Sequence, residues 1–198
     1  DNNRTNAVSV NFTVNASDNL QLANISLYIY NSTNDLYNQT NMSISGIQGI
    51  FGIVVTLVDG VYKWFYKIID LAGNTFTITN NTITIDTRAP VISIITPVAN
   101  RNYTVTNIDF NVSANENLSW CGFSLDSATN ITMTQFNVTY FNFTNSSMTQ
   151  GSHNISFACN DTIGNMNSTS GLIYFSVDSI TPTINIITPT NTTYGNFP

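Results

Sequence analysis

Two stretches of this chain repeat one another 92 residues apart, and that repeat limits the possible folds more than any single motif. The segment from Arg88 to Tyr103 reads Ala-Pro-Val-Ile-Ser-Ile-Ile-Thr-Pro, then a few polar residues, then Tyr. The segment from Ser179 to Tyr194 reads Thr-Pro-Thr-Ile-Asn-Ile-Ile-Thr-Pro, again followed by polar residues and Tyr. Pro90, Pro97 and Tyr103 are matched by Pro182, Pro189 and Tyr194. After the first copy comes a full β-patterned unit, while the second copy is the last thing in the sequence. Ahead of the front unit, whose alternating pattern starts at Val8, no such segment stands. The expectation is a front unit short of its opening strand and a spare strand at the rear.

A 198-residue chain with one such internal repeat divides into two units of roughly 100 residues, a size that supports its own core. The boundaries expected are 1–87 for a β-sandwich lacking its first strand, 88–178 for a complete one, and 179–198 for a tail strand. Within each unit the strand signals are plain. Val8, Val10, Phe12 and Val14 alternate with polar residues, as a half-buried strand requires. Ala23, Ile25, Leu27 and Ile29 face inward on the next strand, with Tyr28 and Tyr30 outward. Asn31 to Ser45 is polar, a loop with a short edge strand. Ile50 to Leu57 follows, then a turn at Asp59-Gly60, then Trp64, Tyr66 and Ile68 on one face. Asp70-Leu-Ala-Gly-Asn74 is a hairpin turn in which Gly73 or Asn74 supplies the positive φ, and Phe76 to Asp86 closes the unit. The second unit replays this: Ile108, Phe110, Val112 and Ala114 match the first strand, and Cys121, Phe123 and Leu125 match Ala23, Ile25 and Leu27. Ile155, Phe157 and Cys159 match Trp64, Tyr66 and Ile68, and Asp161 to Asn165 matches the hairpin turn. Short strands at this spacing, with no helical period, predict an all-β fold of two tandem antiparallel sandwiches.

The Asp-x-Ala-Gly-Asn turn, the Asp-Thr-Arg-Ala-Pro junction at Asp86 to Pro90 and the Ile-Ile-Thr-Pro strand resemble tandem bacterial and archaeal Ig-like repeats. The resemblance implies Ig-like sandwiches from large extracellular surface proteins such as adhesins, surface-layer components or filaments. It brings no catalytic residues, because such modules serve many roles.

Composition narrows the partners. Charged residues make up 8% of the chain, aromatics 12%, and the net charge is −6. No Lys/Arg cluster exists to neutralise phosphates, so nucleic acid is not an expected partner. No apolar run nears the roughly 20 residues of a membrane-spanning helix. Asp1 points to a processed chain. The sequence carries nineteen Asn-x-Ser/Thr sequons, where composition alone would give about seven or eight, and sequons matter where a secreted chain meets a glycosylation machinery. They fall at Asn3, Asn11, Asn15, Asn24, Asn31, Asn38, Asn41, Asn80, Asn102, Asn111, Asn117, Asn130, Asn137, Asn142, Asn145, Asn154, Asn160, Asn167 and Asn191. Covalent N-glycans are the expected modification, and an extracellular location follows from them.

Cys121 and Cys159 fall on neighbouring strands of one sheet, with the apolar pair Ala23 and Ile68 in their place in the first unit, so a structural disulfide is expected. No metal or cofactor is expected. His153, the only histidine, sits where Tyr62 sits in the first unit and reads as packing or surface, since no second ligand or nucleophile accompanies it. Asp59, Asp70, Asp86, Asp161 and Asp178 come singly along the chain. Calcium wants six to eight oxygens, and turn-initiating roles explain these residues with less assumption. The outward Tyr28, Tyr30 and Phe65, flanked by Lys63 and Lys67, are open to a cell-surface sugar, an assembly partner or a covering glycan. With no assembled catalytic set, no enzyme activity is expected. The tail places Ile184 and Ile186 on one face and Ile187 on the other, as a strand joining a sheet edge would. The leading expectation is a filament subunit whose tail completes the front unit of another copy. Its rival is a window from a longer tandem-repeat surface protein.

Overall fold

In the computed structural model, which describes residues 2–168, 171–188 and 195, the chain is all-β. The first half contains β1 (Asn2–Thr5), β2 (Ser9–Ser17), β3 (Leu22–Tyr30), β4 (Leu36–Ser43), β5 (Gln48–Thr56), β6 (Gly60–Asp70), β7 (Thr75–Thr77) and β8 (Asn81–Ile85). The second contains β9 (Ile92–Thr96), β10 (Asn102–Tyr103), β11 (Ile108–Ala114), β12 (Leu118–Leu125), β13 (Ile131–Thr132), β14 (Thr134–Asn137), β15 (Tyr140–Asn145), β16 (Gly151–Asp161), β17 (Met166–Asn167) and β18 (Ile173–Val177).

The larger sheet of the first half runs β1-β8-β6-β3-β4, with β7 on β6; that of the second runs β10-β18-β16-β12-β13, with β17 on β16. Facing them are β2-β5 in the first half and β14-β15-β11-β9 in the second. In the second half, four strands opposite a sheet built on β12, β16 and β18 is the arrangement of the immunoglobulin sandwich. Each half has its own apolar centre. One gathers Phe12, Ile25, Leu27, Ile29, Ile53 and Tyr66, the other Phe110, Val112, Phe123, Phe141 and Phe157, and each takes side chains from both of its sheets.

The registers align the halves residue by residue. Leu22 opposes Asp70 and Leu118 opposes Asp161; Ile25 opposes Ile68 and Cys121 opposes Cys159. Asp18 N–H donates to Ile47 and Leu22 N–H to Gly46, as Ala114 does to Thr139 and Leu118 to Val138. Cys121 therefore corresponds to Ile25 rather than Ala23, and Ile108 corresponds to Phe12 rather than Val8. The two-residue offset leaves every side chain on its face, so period-two alternation does not reveal it, and the β-bulge between Leu22 and Asn24 has its twin between Leu118 and Trp120. The bulge at Leu22 inserts a residue and flips the alternation within β3, so Leu22 is buried and Ala23 only partly so. Val8 precedes β2 and is exposed.

Three further expectations are revised. Asn31 to Ser45 holds a full eight-residue edge strand, β4, rather than a short one. Phe76 to Asp86 is two strands, β7 and β8. The front unit begins before Val8, because β1 pairs in parallel with β8 just as β10 pairs with β18. Asp86 N–H donates to Thr5 as Asp178 N–H does to Tyr103, which fixes Thr5 as the counterpart of Tyr103.

Candidate functional site: the outer edge of β2

In the second half the outer edge of β11 is covered by β9, with Asn111 opposite Thr96, Val112 opposite Ile94, Ser113 opposite Ser93 and Ala114 opposite Ile92. Ile92 and Ile94 pack against the core. By the register above, the counterparts of those acceptors are Asn15, Ala16, Ser17 and Asp18. Among the described residues nothing pairs with that edge: β2 is bonded only to β5. Asn15 and Ser17 thus present backbone N–H and C=O groups to an unfilled ladder position. Beside them lies a groove of about 330 Å³ lined by Val14, Ala16, Leu22, Ile68, Phe76 and Ile78 together with the polar rim of Asp18, Asp70 and Asn74. Phe76 is 67% exposed there, a large apolar ring with no cover.

The tail carries the matching side chains. Ile184, Ile186 and Ile187 stand 92 residues after Ile92, Ile94 and Ile95. They are 92%, 71% and 81% exposed, in a segment without secondary structure. Pro189 to Tyr194, including the sequon at Asn191, lies outside the described residues.

Cys121 and Cys159 are joined in a disulfide, their Cα atoms 4.1 Å apart on directly opposed positions of β12 and β16. The bond lies within one sheet and replaces the Ile25–Ile68 contact of the first half. His153 is buried, with Nδ1 2.8 Å from Asp126 Oδ2 and Nε2 2.9 Å from the Thr149 carbonyl. Burial alone pulls its pKa down, but the Asp126 carboxylate and the Thr149 carbonyl outweigh that, and the net direction is upward. Asp126 was not singled out from the sequence; it lies 27 residues from His153 and has no motif of its own.

The junction acids fall into two groups. Asp59 accepts from Thr87 N–H and Oγ1 and pairs with Arg88 at 2.9 Å, and the Thr87 bonds hold its pKa below the usual value. Asp86 and Asp161, expected to stand singly, meet Glu116, with ligand atoms of all three within 4.8 Å. Burial and the two neighbouring carboxylates raise the Glu116 pKa. For a cation the set is poor, because Asp161 is already committed. Its Oδ1 accepts from Ile163, Gly164 and Asn165 N–H and its Oδ2 from the Asn165 amide. Burial works against that charge, but those donors hold the Asp161 pKa down. The same turn at Asp70 is capped by Asn74, and Gly73 and Gly164 supply the positive φ at 87° and 100°. Across the junction, Asn165 Nδ2 donates to Asp86 O, Asn167 Nδ2 to Pro90 O and Arg4 Nη1 to Thr162 Oγ1.

Tyr28, Phe65 and Tyr30 form a stacked ladder, with Tyr28 and Tyr30 centroids 5.0 and 6.0 Å from Phe65. Lys63 beside it donates to Asn34 at 2.8 Å, and Lys67 is half-buried. Of the sequon asparagines, Asn3, Asn11, Asn15, Asn41, Asn80, Asn102, Asn117, Asn130 and Asn137 are exposed. Asn24, Asn31, Asn38, Asn111, Asn142, Asn145, Asn154, Asn160 and Asn167 are half-buried.

No protein-family model and no curated protein matches the chain. Among solved structures it is similar to the fibronectin(III)-like modules of Clostridium thermocellum CbhA, at 13% identity over 89% of this chain and 90% of that one, with a TM-score of 0.42. It is also similar to dimeric latent PorU from Porphyromonas gingivalis, at 10% identity over 91% of this chain and 23% of that one, with a TM-score of 0.38. At these values the fold assignment rests on the strand order and registers themselves.

Proposed function

We propose that this chain is a structural subunit of a glycosylated extracellular filament, joined head to tail when Ile184 to Thr188 of one copy adds to the β2 edge of the next. The observation that carries this reading is the pairing of β9 with β11. It supports the reading because the second half carries this pairing within one chain, while the first half leaves the equivalent edge uncovered among the described residues and the tail repeats the sequence of β9 and is exposed. In that register Ile184 comes opposite Asp18, Asn185 opposite Ser17, Ile186 opposite Ala16 and Thr188 opposite Asn15. Ile184 and Ile186 enter the groove, and their burial contributes about 3–6 kcal/mol at 1.5–3 each. Association costs of order 4–15 kcal/mol stand against that, so the ladder hydrogen bonds and the covering of Phe76 must supply the balance. Such a contact is heterologous and does not close, so it propagates.

The sequons and the disulfide support an oxidising, extracellular setting. Its partners are other copies of the chain and its own N-glycans, and its role is non-enzymatic. The test is sedimentation and electron microscopy of the intact chain beside an Ile186→Lys variant and a chain ending at Asp178. Filaments are expected from the first alone; equal polymerisation by all three removes the tail from the account.

A second reading has one observation in its favour. The tail repeats β10 as well as β9, through Tyr194, yet the β10 position of the first half is already held by β1. A third covalent unit would use both parts of the repeat, whereas strand addition uses one. On that reading the chain is a segment of a long tandem Ig-like surface protein, with the Tyr28–Phe65–Tyr30 ladder as its carbohydrate contact. The mass of the native polypeptide under denaturing conditions separates the two.

A further inference from the structure

The head-to-tail joint uses one edge of the small sheet, and the other edge, that of β5, is equally unpaired. In the second half the corresponding edge of β15 is covered by β14, where Thr134 opposes Asn142 and Gln135 opposes Phe141. In the first half the preceding strand, β4, stays with β3 along its whole length, down to Asn24 opposite Ser43, and among the described residues nothing reaches β5 from outside. Leu57 N–H donates to Val8 and the Ile47 carbonyl accepts from Asp18, so odd-numbered residues of this strand face β2. By the alternation of an antiparallel ladder, Gln48, Ile50, Gly52, Val54 and Thr56 point their backbone groups outward.

Three features set this edge apart from an edge built to stay single. No charged residue and no proline occurs from Leu36 to Val58, although charge and proline are the usual protection of a free edge. Ile50 and Val54 are 75% and 64% exposed. No sequon falls between Asn41 and Asn80, where the chain's average density would place about three or four; on the glycosylated reading this strand itself carries no glycan. The pattern also fits itself. Among the outward residues, reading from Gly52 in both directions pairs Ile50 with Val54 and Gln48 with Thr56, so an antiparallel copy sets apolar against apolar and polar against polar there; on the core face Phe51 pairs with Ile53 and Gly49 with Val55.

We propose that β5 pairs with β5 of a second copy, antiparallel about a twofold axis at Gly52, to make a continuous β2-β5-β5-β2 sheet. Ile50 then lies opposite Val54 of the partner, and the five outward residues of each strand form hydrogen-bonded pairs. With no charge on either edge, self-pairing meets no like-charge penalty. The contact is isologous and closes at two, so it joins copies side by side rather than end to end. One nine-residue strand pair is small against the usual interface of about 1,600 Å², so the single contact is weak and gains strength when many copies are aligned.

The experiment isolates this contact from the head-to-tail one by working in the intact Ile186→Lys chain. Sedimentation equilibrium is expected to show a concentration-dependent dimer of the 21.8 kDa chain, weakened at least tenfold by Val54→Lys with the circular dichroism unchanged. Val54 is exposed, so that variant tests the edge and not the fold. Register is read by mild oxidation. Ile50→Cys combined with Val54→Cys should cross-link two chains, while Ile50→Cys alone should not. A monomer at all concentrations, a dimer indifferent to Val54→Lys, or equal cross-linking by the single variant overturns the proposal. None of these results bears on whether the Ile186 tail builds filaments.

Discussion

The two halves share a frame in which Leu22 and Leu118, Ile25 and Cys121, Tyr66 and Phe157, and Tyr62 and His153 occupy the same places. They differ in how that frame is closed. The second half has four strands in its smaller sheet and a covalent bond in its larger one; the first has two strands and no bond. What the first half has instead is a buried Tyr66, whose hydroxyl donates to the Phe12 carbonyl across the sandwich at 2.7 Å. The lesson is that one apolar frame tolerates different closures. Among the described residues the first half leaves both edges of its smaller sheet unpaired, while β9 and β14 cover those of the second.

Removing the bridge should give the largest effect. Replacing Cys121 and Cys159 with Ala reopens a loop of 38 residues, and the chain-entropy account predicts a loss of about 3–4 kcal/mol. In a denaturant titration with two resolved transitions, only the transition of the second half should move. Next comes the open edge. A peptide spanning Thr181 to Thr188, added to the Ile186→Lys chain at about 100 times its dissociation constant, should stabilise the first half by about 2.7 kcal/mol. The same peptide should leave the second half, whose β11 edge is taken, where it was. If both transitions shift, the halves do not differ in the way claimed.

Tyr66→Phe should then cost the first half about 0.5–1.5 kcal/mol, the net worth of one hydrogen bond, because the Phe12 carbonyl still faces Ile53 in the β2–β5 ladder. Burial pushes the Tyr66 pKa up to about 12. An unfolded tyrosine ionises near 10, so the first half should lose stability between about pH 10 and 12, and the Phe variant should lose less across that window. The smallest effect belongs to His153. Its raised pKa means the folded second half binds the proton more tightly than the unfolded chain does. The stabilisation is complete below about pH 6.5, the unfolded value, and fades as pH rises through the folded one. His153→Phe should flatten that dependence in the second half and leave the first half, which has Tyr62 there, unaffected.

Much of the fold was legible because it depends on local chemistry. The alternation around Phe12 and Phe110 and the turns capped by Asp70 and Asp161 follow from residue types at short spacings, and the pairing of Cys121 with Cys159 was legible because the sequence holds two cysteines in matching strand patterns. The cysteine strand was aligned two residues out, because a shift of two keeps each side chain on its own face and the period-two pattern does not record it. The ladders fix it: Ile25 opposes Ile68 as Cys121 opposes Cys159, and the bulge at Leu22 has its twin at Leu118. The candidate joint was half legible. The tail's likeness to β9 is written in Pro182, Ile184, Ile186 and Pro189, but the register of the acceptor on Asn15 to Asp18 needed the ladders on both sides. Glu116 between Asp86 and Asp161, and Asp126 beside His153, were not legible at all, since each pair meets only after distant strands have packed.

Residue order alone determined that this chain makes antiparallel sandwiches and that its tail is written as a strand. Period-two burial, turn residues and the copied Ile-Ile-Thr-Pro segment are properties of neighbours along the backbone. Tertiary structure decided which edges remain open, because an edge is defined by what fails to pair with it. β4 stays bound to β3, while its counterpart crosses to β15 as β14. That choice, made by the packing of whole strands, left β5 bare.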